Sequence, residues 1–241
     1  MLEVFEDMDL LFDSVQSALL LFMSFDAELF QIVLVSLKVS FAATLIASCF
    51  GIPGGFLIAY SSFAGKRFVL TCLNTLLALP TVVIGLVVYS FISRRGILGP
   101  LDLLYTQKAI VIGQVILIVP VVMTLTIAAI SRIDDRYMMT ALTLGAKRYQ
   151  MALVVMKEAR YGIYAAVIAA FGRVIAEVGI SMMLGGNAKG FTRTMTTAMA
   201  LEYDKGEFVL AVALGITLMT LAFAINLLFH FLQSRAKSNV I

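Results

Sequence analysis

The chain has 241 residues, of which 61% are hydrophobic and only 14% are charged. Soluble globular domains carry about 25% charged residues, so this composition predicts a polytopic membrane protein instead. The net charge of +3 does not indicate a nucleic-acid partner. One histidine and two distant cysteines do not make a zinc site, so we expect neither a metal nor a cofactor.

The first 28 residues hold seven acidic side chains and no basic one. This excludes a secretory signal, because such a signal begins with a positive segment. Within this stretch Leu10–Met23 is apolar, with Leu11, Val15, Ala18 and Phe22 on one helical face. A segment of this length is too short to span a bilayer, so we predict an interfacial helix.

Five longer apolar segments follow, and each can cross a hydrocarbon core of about 30 Å at about 1.5 Å per residue. They are Ile32–Tyr60, Phe68–Ile92, Ala109–Ser131, Gly162–Leu184 and Phe208–Leu232. Because lipid offers no partner for backbone polar groups, we expect five transmembrane helices in an all-α fold. The transmembrane domain then covers residues 29–233, between the acidic segment 1–28 and a short tail, residues 234–241.

The distribution of Lys and Arg indicates an orientation. If the C-terminus is cytoplasmic, the inside segments hold ten of these residues and the outside segments hold six. Because cytoplasmic loops are enriched in Lys and Arg, we expect the N-terminus outside and the C-terminus inside a prokaryotic cell membrane. Arg94 and Arg95 are an exception, since they place two cations in an outside loop.

The basic segment, Arg132–Arg160, lies between the third and fourth spans and carries six of the eighteen Lys and Arg residues. Its apolar residues fall on the faces of two short predicted helices, Met138, Met139 and Leu142 on the first and Tyr149, Leu153 and Met156 on the second. Gly145 between them permits a close turn. Such a helix–turn–helix either fills a groove in a soluble partner or lies on anionic lipid, and spacing alone does not separate the two.

Two charged residues fall inside the fourth span. Arg173 and Glu177 stand at i and i+4, which places them on one face of a continuous helix. Each charge alone costs roughly 3 kcal/mol near the membrane centre, so the two are expected to neutralise each other inside the bundle. They form either a polar element of a translocation path or a structural ion pair.

Pro80 falls in the middle of the second span and is expected to kink it. Together with Thr81, Val82 and Gly85 it can form a narrow apolar gate, or it can be ordinary packing around a kink. Near the outer end of the fourth span, Gly185 and Gly186 are expected to end the helix. The candidates for anion contacts beyond this break are Asn187, Thr192, Arg193 and Thr194, and the alternative is a polar loop against headgroups or a partner.

The basic segment resembles the coupling-loop motif of ABC importer permeases, which is Glu-Ala-Ala, three residues, Gly, nine residues, Ile, one residue and Leu-Pro. Aligned on Gly145, the Glu-Ala-Ala positions are Met139, Thr140 and Ala141, and Val155 takes the Ile position. Ala141 and Gly145 match, Val155 is conservative, and Lys157-Glu158 stands where the motif has Leu-Pro.

Other stretches resemble the oxyanion branch of these permeases. Pro80-Thr81-Val82 with Gly85 is similar to their Pro-Thr-Val-x-x-Gly stretch, and residues 94–99 are similar to the loop that follows it. Residues 157–162 and 172–187 resemble the tungstate-type branch, whose neighbours are the molybdate permeases. The resemblance covers roughly residues 30–233.

The resemblance implies a set of partners. Two copies of the chain would enclose the path, two ABC ATPase subunits would bind the cytoplasmic loops, and an extracytoplasmic binding protein would deliver tungstate or molybdate. The chain itself would have no catalytic residue, and it has no Gly-x-x-x-x-Gly-Lys-Ser/Thr phosphate loop. The implied contacts with the ATPase are Met139, Thr140, Ala141, Leu142, Gly145, Ala146 and Tyr149.

Two other classes of function compete with this one. An ion-coupled secondary transporter for a small anion would use Arg173 and Glu177 as its site, and a membrane scaffold or assembly factor would transport nothing. Within the resembled family, the alternative is a permease for another oxyanion such as sulfate or phosphate.

Overall fold

The computed structural model of the protein describes Gln16 and residues 27–238. This part of the chain is helical and contains no β-strand. The predicted interfacial helix, Leu10–Met23, lies outside the described residues except for Gln16, which is helical.

The described residues form nine α-helices and one 3-10 turn. In chain order these are α1 (Ala27–Tyr60), α2 (Lys66–Leu77), α3 (Thr81–Ile92), the 3-10 turn (Gly99–Leu101), α4 (Gln107–Ile130), α5 (Asp135–Thr143), α6 (Arg148–Ile175), α7 (Gly179–Gly185), α8 (Met195–Asp204) and α9 (Phe208–Ser238).

Helices α1, α4 and α9 are each long and apolar enough to cross a membrane, the last over Phe208–Leu227. The pairs α2–α3 and α6–α7 also qualify when each is taken as one broken span, which brings the described spans to five. The all-α polytopic fold expected from the sequence is therefore present, and the main differences concern the second and fourth spans.

The predicted second span, Phe68–Ile92, is two helices that meet at an angle of 97°. Helix α2 ends at Leu77 and α3 begins at Thr81, directly after Pro80. Proline has no backbone N–H to donate, and its ring disfavours the helical conformation of the residue before it. The expected kink is thus a complete break of the helix.

The predicted fourth span and the second short helix of the basic segment are one continuous helix, α6, of 28 residues. Neither glycine nor proline occurs between Tyr149 and Tyr161, so nothing in the sequence ends a helix there. The prediction of a separate second short helix was wrong. The fourth span instead breaks after Ile175, and α7 follows with a bend of 59°.

The chain divides into two compact units. One consists of Met1–Ala42, Thr81–Gly113 and Ile175–Ile241, and Val35, Val39 and Ile110 pack together in its core. The other consists of Ala43–Pro80 and Gln114–Val174, and its core includes Phe56, Ile130, Val155, Ala159 and Ile163. The boundaries predicted for the acidic segment, the transmembrane domain and the tail stay a prediction.

Candidate functional site

The helix–Gly–helix arrangement predicted for the basic segment is present. Helix α5 begins after Asp134, whose carboxylate Oδ1 accepts a hydrogen bond of 2.9 Å from the Arg136 N–H. The turn after α5 places Gly145 at φ 79°, in the left-handed region that favours glycine. The next helix is capped in turn, because the Lys147 N–H donates to Gln150 Oε1 over 2.8 Å.

The apolar side chains of this turn are exposed. Leu144 is 82% exposed, Tyr149 60% and Met139 59%. Of the other residues predicted to contact an ATPase, Leu142 and Thr140 are exposed and Ala146 is half-buried, whereas the side chain of Ala141 is not among those described. A side chain at Gly145 would meet nothing within 4 Å. The described part of the basic segment thus presents apolar side chains with no intramolecular cover.

The structure brings several of the predicted gate residues together at the start of α3. Helix α3 packs against α7, and a Cβ built on Gly85 would lie 2.9 Å from the Met183 sulfur. At the other end of this contact, a Cβ on Gly179 would lie 3.1 Å from Thr81 Oγ1 and 3.4 Å from Val82. Pro80 is exposed at the bend that precedes α3.

Glu177 lies beside this contact, in the break between α6 and α7, and is only 8% exposed. Its Oε1 accepts a hydrogen bond of 3.1 Å from the Ile180 N–H, at the start of α7. Its backbone carbonyl accepts a second bond of 2.8 Å from Thr196 Oγ1. The carboxylate therefore serves the broken helix end as a hydrogen-bond acceptor.

The predicted pairing of Arg173 with Glu177 is wrong for the described chain. The i, i+4 rule needs an unbroken helix, but α6 ends at Ile175, between the two residues. Arg173 is exposed in the last turn of α6, and the salt bridges of the described residues do not include one to Glu177.

The threonine segment, residues 187–197, contains the predicted anion contacts, and its hydroxyls are bonded within the chain. Thr192 Oγ1 donates to the Gly185 carbonyl over 2.6 Å and accepts from the Ala188 N–H. Thr194 caps α8, in a capping box with Thr197. The Asn187 amide donates to the Thr197 carbonyl over 3.2 Å. The expected end of a helix at the glycine pair is confirmed, since α7 ends at Gly185 and Gly186 is left-handed at φ 68°.

Two cations of this segment are paired with one carboxylate at the start of α1. Arg193 Nη1 lies 3.5 Å from Glu28 Oε1, and Lys189 Nζ lies 2.7 Å from Glu28 Oε2. The Arg193 side chain is only 12% exposed, so it is not presented to solvent. Thr192 and Thr194 are also buried. The alternative of a polar loop against headgroups or a partner stays a prediction.

Sequence reasoning missed the part of α1 that supports the threonine segment. Ser36 Oγ accepts a hydrogen bond of 2.7 Å from the Met195 N–H, at the first residue of α8. Ser36, Ser40 and Thr44 are all buried. Their spacing of four residues puts a polar stripe on one face of an apolar helix, and this signal was present in the sequence.

The family of the chain follows from its match to a family model. The model described as "Binding-protein-dependent transport system inner membrane component" matches residues 51–238, well over half of the chain. The protein belongs to this family. Within the described residues, no group of three or more His, Cys, Asp or Glu side chains is placed to hold a metal ion.

Similar proteins extend the match beyond the residues covered by the family model. The "Tungstate uptake system permease protein TupB" of Peptoclostridium acidaminophilum is 36% identical over 226 residues, which is 94% of this chain and 99% of the relative. A "Probable anion ABC transporter permease protein" of Haloferax volcanii is 38% identical over 205 residues, 83% of this chain and 88% of the relative. The chain is thus similar to complete permease subunits.

A solved structure supports the fold. A chain of a bacterial alginate ABC transporter, in complex with an alginate pentasaccharide-bound periplasmic protein, aligns with a TM-score of 0.74. The alignment covers 90% of this chain and 82% of the other, at 17% identity. At that identity the likeness concerns the fold alone, which is that of the membrane subunit of an ABC importer.

Proposed function

We propose that this protein is the permease subunit of an ATP-driven importer and provides the translocation path for tungstate or the closely similar molybdate. The observation that carries the proposal is the 36% identity to a tungstate uptake permease, which extends over 94% of this chain and 99% of that relative. Such end-to-end similarity supports the same subunit role. Tungstate and molybdate are both tetrahedral dianions, so a path suited to one accommodates the other.

The driving force comes from two ATPase subunits that bind the basic segment of two copies of this chain. The exposed apolar residues Met139, Leu144 and Tyr149 support this proposal, because a surface of this kind in water calls for a protein partner. The left-handed turn at Gly145 sets the direction of α5 relative to α6. Closure of the ATPases around ATP then moves α5 as a rigid lever and switches the path between outward-open and inward-open states.

With the basic segment in the cytoplasm, the N-terminus lies outside and the C-terminus inside, as the Lys and Arg distribution predicts. An extracytoplasmic binding protein delivers the oxyanion to the outer mouth and does most of the selecting. The path needs only weak contacts with the anion, because tight binding would prevent its release.

The proposed elements of the path and gate are Thr81, Val82 and Gly85 at the α3–α7 contact, and Glu177 beside it. The other two are Pro80, just before α3, and Arg173, in the last turn of α6. Glu177→Gln tests this role directly. The glutamine carbonyl can still accept from the Ile180 N–H, so the fold should be retained while the charge is lost. Altered transport at an unchanged melting temperature would support a role in the path, and unchanged transport would remove Glu177 from it.

Reconstituted uptake tests the whole proposal. The permease, its ATPase and its binding protein are placed in proteoliposomes with labelled tungstate or molybdate outside. With the ATPase and ATP inside the proteoliposomes, the labelled oxyanion should accumulate inside. Omission of either the ATPase or the binding protein should abolish this uptake. Uptake driven by an ion gradient without the ATPase would contradict the proposal and support a secondary transporter instead.

A further inference from the structure

A cavity of about 720 Å³ lies at the connection between α3 and α4. Two arginines, Arg94 and Arg95, line it together with Tyr89, Tyr105 and one carboxylate, that of Asp102. Both arginines are exposed, and neither takes part in a salt bridge among the described residues. We call this feature the arginine cavity. It has no role in the proposed path.

The connection that carries the arginines is held in one conformation by its backbone. The Leu98 N–H donates to the Phe91 carbonyl over 2.9 Å, which folds the chain back onto the end of α3. The Tyr105 N–H donates to the Leu184 carbonyl over 2.8 Å, which ties the connection to α7. A surface fixed in this way loses little conformational entropy when a partner binds.

Backbone strain is concentrated at the same place. Asp102 and Tyr105 have φ values of 43° and 61°, in the left-handed region that non-glycine residues seldom adopt. Both residues line the arginine cavity. Left-handed residues cost on the order of 1–3 kcal/mol and persist where the surroundings impose them, commonly at ligand clamps and functional sites.

The connection that carries the two arginines also exposes large apolar side chains. Ile97 is 82% exposed, Leu101 61% and Tyr105 51%. They lie between the last residue of α3 and the first of α4, and so beyond the ends of both spanning elements. Arginine and tyrosine anchors beside apolar side chains are typical of the residues that contribute most to protein–protein binding.

The size of the cavity favours a protein over a single anion as its occupant. If each oxygen of a tetrahedral oxyanion takes the liquid volume of a water, ~30 Å³, the anion occupies about 120 Å³. The arginine cavity is several times larger, at about 720 Å³. A single oxyanion would leave most of it to water, whereas a protruding part of a protein can fill it.

We propose that the arginine cavity and the exposed apolar residues of the same connection, Ile97 and Leu101, dock an acidic face of the extracytoplasmic binding protein. The inference rests on the proposed function, because it requires this connection to face outside. In the chain, the spanning helix α4 lies between this connection and the basic segment, so the two fall on opposite sides of the membrane in the proposed orientation. Two guanidinium groups without a salt bridge favour a partner that carries carboxylates on its surface. Their positive charge also attracts such a partner from a distance, and this attraction weakens as the salt concentration rises.

The test uses the complete complex in nanodiscs with its binding protein. Arg94→Glu with Arg95→Glu should weaken binding of the binding protein by ~10-fold or more, and should lower its stimulation of ATP hydrolysis in parallel, because two attractive contacts become repulsive. The loss should be largest at low salt. Arg94→Glu and Arg95→Glu alone should each show part of this loss. Lys108→Glu is their matched control, since it reverses one exposed cation outside the cavity lining and should change binding little.

Each outcome has a definite consequence. Normal stimulation of the double variant would overturn the docking surface alone. Failure of the unaltered complex to respond to the binding protein would overturn the proposed function and this docking surface with it. If the double variant instead failed to form a dimer, the occupant would be a second copy of the chain. If the binding defect of the double variant depended only on the anionic lipid content of the nanodiscs, the occupant would be the membrane surface.

Discussion

The basic segment and the threonine segment are both glycine-containing, polar connections next to apolar helices, yet they are built in opposite ways. Around Gly145 the apolar side chains are exposed, and a side chain added at the glycine would meet nothing within 4 Å. In the threonine segment, Thr192 and Thr194 are buried, and their hydroxyls are bonded to the chain itself. The first surface is incomplete without a partner, whereas the threonine hydroxyls of the second already have their hydrogen bonds.

The difference teaches how to interpret polar loops in a membrane protein. A hydroxyl next to a helix end is as useful for capping that end as for binding a substrate, and the residue types are the same in both cases. Exposed apolar side chains at a turn have no such internal use. Exposure of apolar groups is therefore the better indication of a binding surface here than polarity.

The largest effect is expected from disruption of the exposed apolar surface around Gly145. Met139→Glu with Leu144→Glu should weaken assembly with the ATPase by at least ~10-fold, because charges replace the apolar contacts. The permease itself should keep its melting temperature, since exposed substitutions usually change stability by within about 0.5 kcal/mol. Pull-down of the ATPase and a thermal scan measure both. Met139→Leu with Leu144→Met is the control and should assemble normally; assembly of the Glu variant at wild-type affinity would contradict the comparison.

The next prediction compares a Thr→Val substitution in the threonine segment with one in the basic segment. Thr196→Val removes the hydrogen bond to the Glu177 carbonyl and leaves that acceptor without its donor, which should lower the free energy of unfolding by about 1–2 kcal/mol. Thr143→Val, in the basic segment, removes only a bond from an exposed hydroxyl within its own helix and should cost about 0.5 kcal/mol or less. Denaturation in detergent gives both values. Equal losses would show that the segments are not built differently.

An effect of similar size concerns the turn of the basic segment. Gly145→Val forces a β-branched residue into the left-handed region, at a cost of about 1–2 kcal/mol, and should lower coupled ATP hydrolysis several-fold. Gly145→Asn should retain most of the activity, because asparagine tolerates this conformation. The added side chains have open space, so a defect of equal size in both variants would refute the backbone explanation.

The smallest effect tests the ion pairs that tie the threonine segment to α1. Glu28→Gln removes the charge opposite Lys189 and Arg193, and an exposed pair such as the one with Lys189 contributes about 0.2–1 kcal/mol. The melting temperature should fall slightly at low salt and should match the unaltered protein at high salt. A loss that persists at high salt would mean that the hydrogen bonds, and not the charges, hold the segment.

Much of the fold could be predicted because the bilayer restricts it to apolar helices of a minimum length. The five apolar segments, the Gly145 turn and the end of α7 at the glycine pair each follow from local residue types. The Arg173–Glu177 pair could not be predicted correctly, because α6 continues through Gly172 and ends at Ile175, and neither glycine nor proline occurs among the next three residues. The break is accompanied instead by bonds from Ile180 and from the distant Thr196 to Glu177.

The sequence by itself determined the class of protein, the number of apolar spans and the position of the turn at Gly145, because hydrophobic length and glycine conformation are local properties. The tertiary structure decided which polar groups are free to act. Thr194 and Glu177 hydrogen-bond to helix ends, whereas Arg94 and Arg95 are exposed. Hydrogen-bond partners and exposure depend on residues far apart in the chain, so only the packed helices settle them.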